Sequence, residues 1–369
     1  IVAIDTFIKD FMPNFQINGW SNDWFGGYPL YYFYFPLPAI ITFFLNLIFP
    51  FGIAFKIMVV LSIILVVYSI EKLMRKTSNQ ISIYGATAGL FYVFTESFTI
   101  YGGNLASTLA GQFSFAYSLA FANLSIFYLI KSENNFRFTI SSIFLALCLL
   151  SHLIPFIIYS PIYAFYWLSK KQNLNQRILS IFIFLALASR WSISLLMNLE
   201  YTTNMSYTPF SRLDDLIKKD ILPIIFILIG LLIAKHKNLI KNKTLNLFDL
   251  YIISSSVLLY FYVPEGALWN GRLVPFFNLG IIFLFFKAVE IFIDDINLYQ
   301  QGVNVLTGLF LGGTIYCLYI FYEKWSTNQS YLNLYIPIIF LIMIFAILNL
   351  NNVVVQLNLL IIFNYFFYY

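Results

Sequence analysis

Long apolar runs alternate with short polar stretches along the whole chain. A transmembrane helix needs about 20 mostly apolar residues. Candidate runs fall at 51–71, 81–98, 113–130, 137–152, 154–169, 178–199, 221–236, 248–263, 273–290, 302–322, 331–349 and 353–369. The pattern therefore predicts about twelve crossings. Pro36, Pro38 and Pro50 interrupt the first apolar stretch. Only eleven residues lie between Pro38 and Pro50, too few to cross comfortably, so 36–49 is expected to be interfacial or re-entrant. The expected fold class is all-α, a polytopic bundle of transmembrane helices. Residues 1–50 would form an extracytoplasmic loop plus the interfacial segment, and 51–369 the transmembrane domain.

Charge sets the orientation. Basic residues gather in four connections: Lys72, Arg75 and Lys76; Lys131 and Arg137; Lys170, Lys171 and Arg177; Lys235, Lys237, Lys241 and Lys243. Loops rich in Lys and Arg stay cytoplasmic. Segments 1–35, 99–112, 152–154, 200–220, 264–272 and 323–330 then face outward. Composition agrees: 60% of the 369 residues are hydrophobic and 10% charged, against about 25% charged in soluble domains. A multi-pass protein of the cell membrane, in contact with its lipids, follows. The net charge of +5 forms no clustered basic face, which argues against nucleic acid as a partner. Cys148 and Cys317 lie inside apolar runs and make no disulfide framework. The chain begins at Ile1 and ends inside an apolar run at Tyr369, so truncation at both ends is expected.

The unusual residues lie in the outward segments. Trp20, Asp23, Trp24 and Tyr28 form an aromatic stretch with one carboxylate. It reads as a saccharide or lipid-headgroup platform, or as an aromatic belt with a Gly-Pro turn. Segment 99–112, with Asn104 and Gln112, is rich in small residues and opens a helix near Phe113. The free N–H groups there could hold a phosphate, although small residues also serve helix packing. Glu96, Lys56 and Arg190 are ionisable groups in or near apolar runs, where such groups are functional candidates; Lys56 could also simply snorkel. His152 is a lone imidazole at a junction of two runs, and such a residue is more often hydrogen-bonded structure than a ligand. Glu265, Trp269, Asn270 and Arg272 share the last outward motif, where Arg272 could grip a phosphate or pair with Glu265. His152 and His236 fall on opposite faces, so a multi-His metal site is not expected. A divalent metal held by carboxylates stays possible, and the cofactor is unknown. Walker, dinucleotide, nucleophile-elbow and zinc motifs are absent from the sequence.

Several blocks carry a resemblance. Gly19 through Pro29, Phe33 through Pro38, Tyr101 through Phe115, His152 through Pro155, Tyr201 through Met205 and Pro264 through Leu273 occur in order. Together they resemble a prokaryotic membrane family labelled 6-pyruvoyl-tetrahydropterin synthase-related. That family commonly has Glu where Gln112 stands, and an Asp-Thr-Gly-like segment before the point where this chain starts. A soluble pterin enzyme with a three-His zinc site does not fit two histidines on opposite faces. The architecture instead is similar to GT-C membrane glycosyltransferases, which use polyprenyl-phosphate-linked sugars at the outer face.

What the resemblance implies is a glycosyltransferase with a carboxylate base, Asp23 first and Glu96 second. Arg272, Lys56 or the helix start near Gly111 would hold the donor phosphate. Trp20, Trp24 and Tyr28 would stack on sugar or lipid, with Asn104, Gln112, His152, Glu265, Trp269 and Asn270 lining the cavity. A transporter or flippase for a lipid-linked or small polar solute, and a non-catalytic cell-envelope protein, are the alternatives.

Overall fold

Some of the chain's helices start at a residue whose side chain satisfies an orphan N–H group of the first turn. Ser82 accepts from Gly85 N at 3.0 Å and Asn173 from Gln176 N at 2.9 Å, opening α4 (Ile83–Phe94) and α9 (Leu174–Met197). Pro50, which lacks the N–H that a continuing helix would need, separates α2 (Leu37–Asn46) from α3 (Phe51–Met74). These boundaries belong to a computed structural model that describes residues 1–295. Within that range it leaves out 24–25, 76–81, 96–98, 132–134, 204–208, 212, 218–220, 222–223, 226–246 and 264–267. Further helices are α1 (Val2–Thr6), α5 (Leu105–Ser107), α6 (Phe113–Ile130), α7 (Asn135–Ser151) and α8 (Leu153–Ser169). Helices Leu247–Tyr262 and Val274–Asp295 follow.

Helices thus stand at the expected positions from 51–71 through 178–199, and again at 248–263 and 273–290. The candidates at 302–322, 331–349 and 353–369, and nearly all of 221–236, lie outside the described residues. Among the described residues four stretches are long and apolar enough to cross a membrane: Phe51–Met74, Leu105–Ile130, Leu174–Met197 and Asn270–Glu290. Four of the expected spans are thus shown at membrane-crossing length and hydropathy. The 17 residues of α7 or α8 reach only about 26 Å at 1.5 Å per residue, short of a ~30 Å hydrocarbon core. Thr95 ends α4 early in extended backbone, and its carbonyl is taken by Asn104 Nδ2 at 2.7 Å.

α6 is the hub, buried on most of its surface and packed on α3, α7 and α8. Between helices in lipid, close packing and polar contacts replace the hydrophobic drive. Tyr117 donates to Met58 O at 2.7 Å, and Ser118 to Cys148 O at 2.9 Å. Buried Asn123 joins three helices, donating to Ser69 Oγ at 3.1 Å and accepting from Tyr159 OH at 2.6 Å. On α4, Gly85 and Gly89 lie one turn apart against α3. A Cβ on either would come within 3.0 Å of the backbone at Glu71 or Val67.

In their described residues, the first three basic connections gather at one end, while Lys235 to Lys243 lie outside the described residues. Arg75 bonds Glu71, which also accepts from Ser82 N. Lys170 bonds Ile130 O, and Arg177 bonds Leu168 O and Lys170 O. At the other, apical end lies a cap made by residues 1–36, with α1, a turn through Phe11, and a hairpin of β1 (Gly19–Ser21) and β2 (Tyr28–Leu30). Both ends of α2 are apical. It starts beside Phe35, which stacks on His152, and leads through Pro50 to α3, whose Phe55 meets Phe113 at the start of α6.

Candidate functional site

Arg272 ties two distant segments together. It sits in the turn Asn270–Leu273, and its Nη1 donates to Ile100 O (3.0 Å), Tyr101 O (3.0 Å) and Gln112 Oε1 (2.9 Å). Trp269 packs edge-on against Tyr101 with ring centres 5.1 Å apart, and Phe210 closes the aromatic group at 5.5 Å from Trp269. Burial first, and the Asp215 carboxylate second, hold the Tyr101 phenol above the usual tyrosine range. Asn270 accepts from Phe210 N and donates to Phe210 O and Tyr260 O, fastening residue 210 to the same turn.

Below this clamp, segment 99–112 is shaped by glycines. Gly102 has φ 120° and Gly103 φ 86°, conformations that side chains rarely adopt. A Cβ at Gly102 would strike the Phe115 ring at 2.6 Å, and one at Gly103 the Tyr92 hydroxyl at 2.4 Å. Asn104 is buried and accepts from Ser107 N at 2.8 Å, capping α5. Its role is to fold the loop. Gly111, at φ 107°, kinks the chain just before α6 and is exposed, with nothing within 4 Å of where a Cβ would sit.

His152 marks where the cap meets this loop. Its ring lies 4.6 Å from Phe35 and 5.3 Å from Phe115. Nδ1 accepts from Ile154 N at 3.2 Å, so His152 caps α8 with an unprotonated nitrogen. The imidazole is a packed, hydrogen-bonded joint.

The cap carries Asp23, Trp20 and Tyr28. Exposed Asp23 accepts from Thr6 Oγ1 at 2.5 Å and from Ser21 Oγ at 3.3 Å. Trp20 lies opposite Pro29 in the hairpin, 61% exposed, with its indole over Gly27. Burial raises the Tyr28 phenol above its ordinary range. Arg190, expected to face a cavity, instead donates from α9 to Phe15 O at 2.8 Å. It stands two turns from the apical end of its helix, within reach of the cap backbone. Beside it, Trp191 Nε1 reaches Tyr31 O (3.1 Å) and Tyr34 O (2.8 Å).

The positive-φ residues other than glycine, among those described, are Phe15 (54°), Tyr31 (59°) and Ile100 (70°). All lie at the apical end, and each carbonyl is held by a side-chain donor, from Arg190, Trp191 and Arg272 respectively. Such backbone costs about 1–3 kcal/mol per residue and persists only where the surroundings fix it. Sequence reasoning did not single out Phe35, Trp191, Thr6 or Phe210. Only Trp191, an indole beside Arg190 within an apolar run, left a local signal.

The clamp thus gathers Arg272, Gln112, Trp269 and Asn270, with His152 adjoining through Phe115. Asp23, Trp20 and Tyr28 stay together in the cap. Lys56 projects from the exposed side of α3. Trp24, Glu96 and Glu265 lie outside the described residues. Among the described residues, no group of three or more His, Cys, Asp or Glu gathers as metal ligands would.

No protein-family model matches the chain, and no curated protein matches it. The family resemblance therefore rests on its sequence blocks alone. Among solved structures, the crystal structure of ArnT from Cupriavidus metallidurans bound to undecaprenyl phosphate is similar, with a TM-score of 0.43 and 13% identity. The match covers 77% of this chain and 54% of that chain, so this chain spans about half the length of that structure.

Proposed function

We propose that the chain is an integral-membrane glycosyltransferase of GT-C type, transferring a sugar from a polyprenyl-phosphate donor at the non-cytoplasmic face. The observation that carries the reading is the gathering of the cap, segment 99–112, the His152 junction and the Arg272 turn at one end of the bundle. The described basic residues Lys170 and Arg177 lie at the other end. The ordered sequence blocks point to the same segments.

In this reading the start of α6, with its exposed Gly111, faces the donor phosphate. The N-terminal partial charge of a helix favours an anion there. Arg272, bonded to the neighbouring Gln112, adds positive charge and holds the loop in shape. Asp23, steadied by Thr6, is the base that takes the proton from an acceptor hydroxyl. Trp20 and Tyr28 offer faces on which a sugar ring stacks.

The test is sugar transfer by purified protein in proteoliposomes supplied with polyprenyl-phosphate sugars. Asp23→Asn is expected to lower kcat by about 10²-fold or more, because a positioned base contributes on that order. Arg272→Ala is expected to raise KM for the donor. Transfer unchanged in both variants would remove the reading, and loss of transfer with chelator would add a metal to it.

A further inference from the structure

We propose that the elbow between α2 and α3 is a docking site for an anionic phospholipid of the apical leaflet, with its headgroup phosphate on Lys56. The elbow is a continuous exposed apolar surface. Leu47, Ile48, Phe49 and Ile53 are 68%, 76%, 38% and 50% exposed, and Phe44 on α2 adds to them. Four of its backbone donors are nonetheless paired within the chain, leaving Phe51 N and Gly52 N as the open donors of the first turn of α3. Ile48 N and Phe49 N reach Leu45 O at 3.1 and 2.9 Å, and Ile53 N and Ala54 N reach Pro50 O at 2.9 and 3.0 Å. A segment with open backbone groups belongs at the headgroup level, where polar partners are at hand, and not in the hydrocarbon core. The elbow therefore suits the headgroup–acyl boundary, and both ends of α2 fix it at the apical level.

Lys56 supplies the headgroup chemistry. It follows Gly52 by one turn and shares the exposed side of α3 with Gly52 and Ile53. Among the described residues it makes no hydrogen bond or ion pair. At 1.5 Å per residue its Cα lies about 7 Å along α3 from Phe51, near the headgroup–acyl boundary of a ~30 Å core. An ammonium at that depth, one turn from exposed Ile53, is matched by a lipid phosphate whose chains cover Leu47, Ile48 and Ile53. The occupant is a membrane phospholipid rather than a soluble anion, since the apolar surface has use only for a molecule with tails. This inference does not rest on the glycosyltransferase reading.

The experiment is native mass spectrometry of the full chain released from nanodiscs of equal phosphatidylglycerol and phosphatidylcholine. Retained phosphatidylglycerol is expected to exceed phosphatidylcholine by about fivefold, as one lysine near a surface commonly gives. Lys56→Ala should bring the ratio to about one, and Lys56→Arg should restore it. Ile48→Ser should lower retention of both lipids without changing the ratio. An unchanged ratio in Lys56→Ala would overturn the proposal. So would displacement of the retained lipid by trace polyprenyl phosphate, which would make the elbow a donor site, or competition by inorganic phosphate.

Discussion

Single residues at the apical end are constrained far more tightly than their composition suggests. Gly103 cannot be replaced without two costs, a φ of 86° and a Cβ 2.4 Å from the Tyr92 hydroxyl. Gly103→Ala is expected to destabilise the protein by about 1–3 kcal/mol, read as a lower unfolding midpoint in detergent. Gly111→Ala has the same sign of φ but meets no neighbour, so its cost should be smaller, about 1–2 kcal/mol. Equal midpoints for the two variants would show that the Tyr92 contact is unimportant. A sequence of small residues, Gly102-Gly103-Asn104, announces a tight loop. It does not announce that Asn104 is spent on Thr95 O and Ser107 N instead of on a ligand. Side-chain amides look alike in sequence whether they face a cavity or a backbone carbonyl.

At the scale of elements, the bundle is joined by buried polar contacts placed across helix interfaces. Tyr159 on α8 donates to Asn123 on α6, which in turn donates to Ser69 on α3. Tyr159→Phe should cost about 1 kcal/mol, the scale of an interhelical hydrogen bond in a membrane. A double-mutant cycle with Asn123→Leu should return most of that value as coupling, and additive effects would refute the shared bond. The helices themselves were readable from hydrophobic runs, because lipid solvation demands apolar side chains at nearly every position. Their partners were not. The runs of α6 and α9 are similarly apolar, yet α6 is buried at the centre and α9 largely exposed at the edge. Ser118 bonds α6 to α7 and Tyr117 bonds it to α3, pairings that no run length announces. Lys287 and Asp249 illustrate the same limit: they lie 38 positions apart, and only packing of the last two described helices makes them a pair at 2.5 Å.

For the molecule as a whole, the cap of residues 1–36 is latched onto α9 by Arg190 and Trp191 and onto the bundle by Phe35. Trp191→Phe removes two hydrogen bonds to Tyr31 O and Tyr34 O while keeping an aromatic ring. Faster hydrogen exchange confined to the cap is the expected result, and exchange spread over the bundle would contradict a latch. The latch should also be alkali-sensitive. Burial, with a smaller part from Tyr28, holds the Tyr31 phenol well above the ordinary tyrosine range. Its contribution is then complete below pH ~10, where the unfolded phenol is also protonated, and is lost as pH rises above that value. Cap exchange should accelerate in that window and be blunted in Tyr31→Phe.

The sequence by itself determined the membrane setting and the positions of the long apolar helices. These follow from local quantities: run length, hydropathy and charge, each read without knowing what packs where. Tertiary structure alone decided which side chains meet. It moved Arg190 from a cavity to the cap backbone, made His152 a joint between Phe35 and Phe115, and spent Arg272 on closing a loop 160 residues distant at Gln112. A cation satisfies whichever acceptor the fold brings within about 3 Å, and that proximity is a property of the folded chain and not of any segment in it.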